Sequence, residues 1–341
     1  MIRAVNDLLL AIRQIHEAIR TEVVATTEQN SLSSLSEVVA EQAGDTIFAI
    51  DRVSEEVLLQ HFAQLSKRWS FILVAEGVGE DGIQVFPPTI DPTQAELIII
   101  IDPIDGTRGL MYQKRAAWIL TGVAVNHGDA TNLSHIELAV QTEIPLVKQH
   151  LCDSLWAIAG QDAQGERYNR ITGERTVLVP QPSQAHTIAQ GYGNISRFFP
   201  GTRAELATID DELIERTLGP IKEGQTQAFE DQYICSGGQL YELMMGHDRW
   251  IADIRPLMET YLNKRGRASG LYCHPYDLCT ELIARQLGII VTDEYGQQLA
   301  APLDVTTGIS WIGYANHAIQ EQIAPTLTAL LEQHGLLKPA L

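Results

Sequence analysis

The stretch Leu97-Ile98-Ile99-Ile100-Ile101-Asp102-Pro103-Ile104-Asp105-Gly106-Thr107 constrains this chain more than any other. Five branched apolar residues in a row predict a strand covered on both faces, and the run stops abruptly at two carboxylates three positions apart. The Pro, Gly and Thr that follow favour a tight turn and then a helix N-terminus. Such a junction gathers anionic oxygens, a free backbone carbonyl and free N–H groups into one small volume. Hard divalent cations such as Mg²⁺ take the carboxylates, and a phosphate takes the amides. The pattern therefore points to metal-dependent phosphate chemistry.

The length, 341 residues, suffices for two packed lobes. With 45% hydrophobic and 20% charged residues the chain reads as globular rather than disordered. The net charge of −19 disfavours nucleic acid and anionic membrane as partners. It also requires that an anionic substrate be met by local positive charge, which a bound metal would supply. Cys152, Cys235, Cys273 and Cys279 are scattered, as expected of reduced thiols in a cytoplasm. The segment MIRAVNDLLLAIRQIHEAIR is broken by charges and lacks a signal-peptide core, and no apolar run approaches the ~18–20 residues of a membrane helix. A cytoplasmic location is the default expectation.

Val5, Leu8, Leu9, Ile12, Ile15, Ile19 and Val23 recur at helical spacing, predicting an amphipathic helix over 3–26. A second helix is expected over 33–42 with Gly44 as its stop, then a turn and a short extended piece from Asp45, and a helix from near Asp51 through 66. Strands are expected at 71–75, ending at Glu76 before a Gly77-Val78-Gly79 turn, and at 118–125, 134–142, 154–159 and 289–292. Turn-forming residues over 160–185 suggest a boundary between two lobes, drawn as 1–165 and 166–341. Helices are expected over 203–217, 236–246, from Asp277, and over 317–334, so the second half alternates as an α/β lobe does.

Apolar runs deliver acids at Asp51, Glu76, and Asp102 with Asp105. One carboxylate at a strand end is ordinary, but several in one half of the chain call for a common explanation, because each is costly unless solvated, paired or metal-bound. Asp102-Pro103-Ile104-Asp105-Gly106-Thr107 resembles the DPxDGT signature of the inositol monophosphatase-like family. These are Mg²⁺-dependent, lithium-sensitive phosphatases, whose superfamily also holds fructose-1,6-bisphosphatases and 3′(2′),5′-bisphosphate nucleotidases. Phe71–Glu76 is similar to the family strand that ends in a metal-binding Glu, and Asp45–Glu55 to its DxxTxxDxxxE stretch. Pro275–Thr280 sits where the family places a Trp-Asp helix start. The four agree in order and span residues 45 to 280.

The resemblance implies a layered αβαβα sugar-phosphatase fold of mixed α+β and α/β character, with two lobes and the site between them. It implies that Glu76, Asp102 and the Ile104 carbonyl hold a first Mg²⁺. Asp102, Asp105 and Asp277 would hold a second, and Glu76 would assist a third through water. Asp51 and Thr107 would orient the attacking water, the Gly106 and Thr107 amides would cradle phosphate, and Ser236 would line the substrate pocket. Two cations about 4 Å apart activate a water and stabilise both attacking and leaving oxygens, so no covalent phosphoenzyme is required. The family's usual dimeric state extends to this chain only as an implication. The partner expected is a small phosphate ester.

Departures from the pattern are Phe48 for the Thr, Gly77 for a second Glu, and Tyr276 for the Trp. After DGT the chain continues Arg108-Gly109-Leu110, closer to the nucleotidase DGTKGF than to inositol-type relatives. Arg108 is either a solvated surface residue or a rim cation that selects a more anionic substrate. Likewise 251–274, with Arg255, Lys264, Arg265 and Arg267, is either a surface loop or a basic lid for a second anionic group. Cys273-His274 with Cys279 lacks the four-ligand spacing of a zinc site, and Gly237-Gly238 is a weak phosphate-loop signal. Three functions remain: a phosphomonoesterase for a polyol or sugar phosphate, a bisphosphate nucleotidase or fructose bisphosphatase, and a non-turning-over binder of metal or sugar phosphate.

Overall fold

Leu97–Ile101 is uniformly apolar because both of its faces are covered. In the computed structural model, which describes residues 1–30, 35, 38–42, 45–48, 58–79, 81–267 and 270–338, it forms the first five residues of a nine-residue strand. The first strands are β1 Val38–Gln42, β2 Asp45–Phe48, β3 Phe71–Ala75, β4 Ile83–Phe86 and β5 Leu97–Asp105. They are followed by β6 Ala117–Val125, β7 Ile136–Ile144, β8 Leu151–Ile158, β9 Gln164–Asn169 and β10 Arg175–Leu178. The strands from β3 onward make one eight-stranded sheet in the order β10-β9-β8-β7-β6-β5-β3-β4. Only β3 and β5 run parallel; their neighbours pair antiparallel.

Side-chain alternation along β5 sorts the two faces. Leu97, Ile99 and Ile101 enter a core shared with the helix Val5–Gln29 through Leu8, Ile12, Ile15 and Ile19. Ile98 and Ile100 enter a second core with Leu240 and Leu243 of the helix Ser236–Met244 and Leu282 and Ile283 of the helix Glu281–Gln286. Each such residue is worth about 1.5–3 kcal/mol when fully buried.

A second sheet follows, of β11 Tyr192–Ile195, β12 Asp248–Asp253, β13 Ile290–Thr292 and β14 Trp311–Tyr314, ordered β11-β12-β14-β13. Ile251, Val291 and Trp311 face the same inner helices. Trp250, Ala252 and Ile312 face outward, onto the helices Arg203–Leu218 and His317–Gln333 through Ile209, Leu213, Ile319 and Ile323. Helix, sheet, helix, sheet, helix: the layered αβαβα arrangement is present, mixed in strand direction.

Several expectations are corrected. Within 33–42, where a helix was expected, Val38–Gln42 is a strand paired antiparallel with β2. Adjacent β-branched Val38 and Val39 favour extended backbone, and cross-strand pairing supplies the hydrogen bonds a helix would make internally. Gly44, Asp51 and the 52–57 start of the next helix lie outside the described residues; 58–65 is helical. The turn-rich 160–185 contains β9 and β10, so the 165/166 division falls inside β9, and the change of sheet lies between Leu178 and Tyr192. The 251–274 segment is no surface loop: it holds the second half of β12, a 3₁₀ turn Arg255–Met258 and the helix Glu259–Lys264, and it buries Ile251, Ile254, Met258 and Leu262. No helix among the described residues is long and apolar enough to cross a membrane.

Candidate active site

The site forms where β3 and β5, the parallel pair, both end. Glu76 follows β3 directly, and Asp102 and Asp105 close β5, where its register with β6 shifts between Asp102 and Asp105. Asp277 arrives from the second half of the chain on the 3₁₀ turn Pro275–Leu278. That turn packs against β6 at Gly122, where a Cβ would lie 2.6 Å from the Cys279 carbonyl oxygen. Asp102, Asp105 and Asp277 each place a carboxylate oxygen within 4.8 Å of the others.

Each acid is held by a backbone amide. Asp102 Oδ1 accepts from Ile104 N at 2.9 Å, and Asp277 Oδ2 from His274 N at 2.6 Å in a reciprocal cap of the turn. Asp105 Oδ2 accepts from Gly237 N at 2.5 Å, the first turn of the Ser236–Met244 helix, where the dipole favours negative charge. Gly106 has φ +96, and a Cβ there would meet Cys235 Sγ at 3.0 Å, so both conformation and space require glycine. The Thr107 hydroxyl donates to the Ile104 carbonyl at 2.9 Å.

Burial is the largest influence raising all three acids. Asp105 is pushed up to about 6, restrained by the Gly237 amide. Asp102 is raised well above the carboxylate range by burial and then by Asp105, Asp277 and Glu76. Asp277 is raised by burial and then by Asp105. Carboxylates this close and this dry cannot ionise together without a cation. Arg255 lies nearby, but its guanidinium is bidentate on Asp253, at 2.8 and 2.6 Å, and donates to the Leu271 carbonyl at 2.8 Å. Three carboxylates with oxygens within 4.8 Å of one another fit a hard divalent cation.

The acids open into a cavity whose walls include Gly106, Thr107, Arg108, Ser236, Phe199 and Tyr272. Glu76, Ile104 and Arg255 reach it as well. Ser236 is buried and donates to Cys273 Sγ at 3.5 Å. Two cations lie near Phe199: Arg108 stands 5.8 Å from its ring centre and Arg255 5.4 Å. Tyr276 stacks on His274 with ring centres 5.3 Å apart. Of the residues expected from sequence, Glu76, Asp102, Ile104, Asp105, Gly106, Thr107, Arg108, Ser236 and Asp277 line this one cavity, and Asp51 lies outside the described residues.

Residues 6–132 match the inositol monophosphatase family. That is the family the Asp102–Thr107 signature resembles. No curated protein sequence gives a match. Among solved structures the chain is similar to the extragenic suppressor protein SuhB of Bartonella henselae, at 14% identity, 94% of this chain, 98% of that chain and a TM-score of 0.62. It is similar to the fructose-1,6-bisphosphatase of Leishmania major in holo form, at 14% identity, 95% and 93% coverage and a TM-score of 0.65. A Thermotoga maritima IMPase matches at 16% identity, 94% and 98% coverage and a TM-score of 0.57. At these identities the structures show the fold alone.

Sequence reasoning did not single out three parts of the site. Gly237 was set aside as a weak loop signal, yet its amide holds Asp105. The paired glycines before an apolar helical pattern were the available signal. Phe198-Phe199 and Tyr272 carried no pattern that marked them.

Proposed function

We propose that this chain is a Mg²⁺-dependent phosphomonoesterase that hydrolyses a small polyol or sugar phosphate. The observation that carries this is the cluster of buried Asp105 with half-buried Asp102 and Asp277, lining one cavity with Glu76 and Thr107. Glu76, Asp102 and the Ile104 carbonyl would hold one cation, and Asp102, Asp105 and Asp277 a second, with Glu76 assisting a third. Bound there, Mg²⁺ would lower the pKa of a water and neutralise charge on the phosphate and leaving oxygens.

The chain's own groups do the positioning. Thr107 donates to the Ile104 carbonyl at the cavity wall, and its hydroxyl would help to orient the attacking water there. Asp51 would share that task. The Gly106–Thr107 backbone, at the turn leaving β5, would face the phosphate, and Ser236 would contact the remainder of the substrate. Asp277 comes from the second lobe, so closure of the site depends on both lobes.

A second substrate class has its own support. Arg108 beside Phe199 places positive charge on the cavity wall, which favours a bisphosphate such as fructose 1,6-bisphosphate or adenosine 3′,5′-bisphosphate. Phosphate release from these two and from inositol 1-phosphate, each with and without Mg²⁺, ranks the substrates. Absence of Mg²⁺-dependent release from every phosphomonoester tried would leave the metal- or sugar-phosphate-binding role instead.

A further inference from the structure

Asp105 and Asp277 belong to different sheets' worth of chain, yet one buried side chain connects the backbone segments that hold them. Gln141 lies on β7, in register with Leu120 on β6 and Leu155 on β8, and is fully buried. Its Nε2 donates to the carbonyl of Gly237 at 2.7 Å. Its Oε1 accepts from the Thr280 hydroxyl at 3.0 Å. Gly237 is the residue whose N–H holds Asp105, and Thr280 follows the turn that presents Asp277. Thr280 is itself fully buried.

We propose that Gln141 is a positioning residue that fixes the Asp105 side of the metal site relative to the Asp277 side. This rests on the metal reading above, and deepens it. A primary amide serves both contacts at this place, its nitrogen donating and its oxygen accepting. The Gly237 carbonyl needs a donor and the Thr280 hydroxyl an acceptor, and the fixed amide plane sets the separation between them. Leucine or methionine would fill the space without the desolvation cost of a buried amide. What the amide supplies is geometry. Groups two shells from a metal tune its affinity by orienting what the ligands rest on, and losing such a partner commonly weakens binding 10–100-fold.

The test uses the full chain stripped of metal by chelation, titrated with Mn²⁺ and followed by the electron paramagnetic resonance signal of the free ion. Thermal unfolding of each variant is recorded alongside. Gln141→Met and Thr280→Val are expected to weaken Mn²⁺ binding about tenfold each. The double variant is expected to be little weaker than either single one, because both cut the same connection. Thr280→Ser, which keeps the hydroxyl, is expected to bind Mn²⁺ as the native chain does. Ser154→Ala removes a hydroxyl bonded at 2.9 Å to Thr142 in the same sheet, and is expected to lower the Tm without altering affinity. Native affinity in a folded Gln141→Met overturns the inference, as does equal weakening by Ser154→Ala. If Gln141→Met does not fold, the Thr280 pair decides in the same way. If the native chain binds no Mn²⁺, the metal reading itself fails and this inference with it, a result distinct from binding that Gln141→Met leaves intact.

Discussion

Gly237 N donates to Asp105 Oδ2 at 2.5 Å, so a carboxylate ending a strand of the large sheet is held by the first turn of a helix 132 residues away in the chain. The glycine is required there. A Cβ at 237 would stand 2.6 Å from Leu120 Cδ2 and 3.0 Å from the Asp105 oxygen it serves.

Gly237→Ala is therefore expected to cost about 1–3 kcal/mol of stability, the range for overpacking a close-packed core. It should also cut Mg²⁺-dependent turnover by more than tenfold, since the helix cannot move away without releasing Asp105. Urea denaturation and phosphate release measure the two effects. Full activity in a destabilised protein would separate Gly237 from the site.

Removing the charge at 105 has the opposite effect on stability. Burial raises Asp105 to about 6 in the folded chain, above its ordinary value of 3.8. The folded state thus holds this proton more tightly than the unfolded chain does. The corresponding stability is complete at pH below about 4 and is lost as pH rises through about 6. Asp105→Asn keeps an oxygen for the Gly237 amide and removes the charge. Its metal-free Tm is expected to exceed that of the native chain at pH 8 and to equal it near pH 4, while turnover disappears. Thermal unfolding at the two pH values, with circular dichroism to verify the fold, checks this; unchanged turnover would displace Asp105 from the metal set. In the native chain Mg²⁺ should raise the Tm more at pH 8 than at pH 5, because ligands bind metal deprotonated.

What the sequence disclosed follows from where each residue lies. β5 was legible because a strand covered on both faces is apolar throughout, and the amphipathic helix Val5–Gln29 because one stripe of it packs on that sheet. β9 and β10 were not, because they lie at and next to the sheet edge, and Gln164–Asn169 and Arg175–Leu178 show no apolar alternation. The acids were legible as a local signature, Asp102 to Thr107. Their supports were not: Gly237 and Gln141 act on partners more than ninety residues away, and only tertiary packing brings them together. The glutamine directly after the apolar Leu138–Val140 run was a signal, but nothing local says what a buried amide bonds to.

Arg108 and Arg255 lie near the same ring yet are expected to respond differently. Arg255 already bonds Asp253 through two nitrogens, so its replacement should destabilise the fold by leaving Asp253 buried without its partner. If a second anionic group of the substrate meets Arg108, the KM of Arg108→Gln for a bisphosphate rises about tenfold, the scale of one charge-assisted hydrogen bond, and its KM for inositol 1-phosphate stays within about twofold. Steady-state kinetics on both substrates decide the matter. Equal changes for the two would make Arg108 a general surface cation.

His16 offers a test of the core that is independent of the site. It projects from the helix Val5–Gln29 into the sheet, fully buried, with Nε2 2.7 Å from Thr121 Oγ1 and Nδ1 3.0 Å from Thr142 Oγ1. Burial, aided by Arg20 and Arg13, lowers its pKa from 6.5 to about 3. A depressed histidine is neutral in the folded chain and charged in the unfolded one between those values. Its contribution is therefore intact above pH 6.5 and is lost as pH falls toward 3, at up to about 1.4 kcal/mol per pH unit. His16→Gln can still bond a threonine hydroxyl and does not titrate. It is expected to cost about 1–3 kcal/mol at pH 7.5, from imperfect packing and a buried hydroxyl left without its partner. Between pH 6.5 and 4.5 its stability should fall less steeply than that of the native chain. Urea denaturation at half-unit pH intervals gives both slopes, and parallel slopes would mean that His16 takes up its proton without leaving the fold.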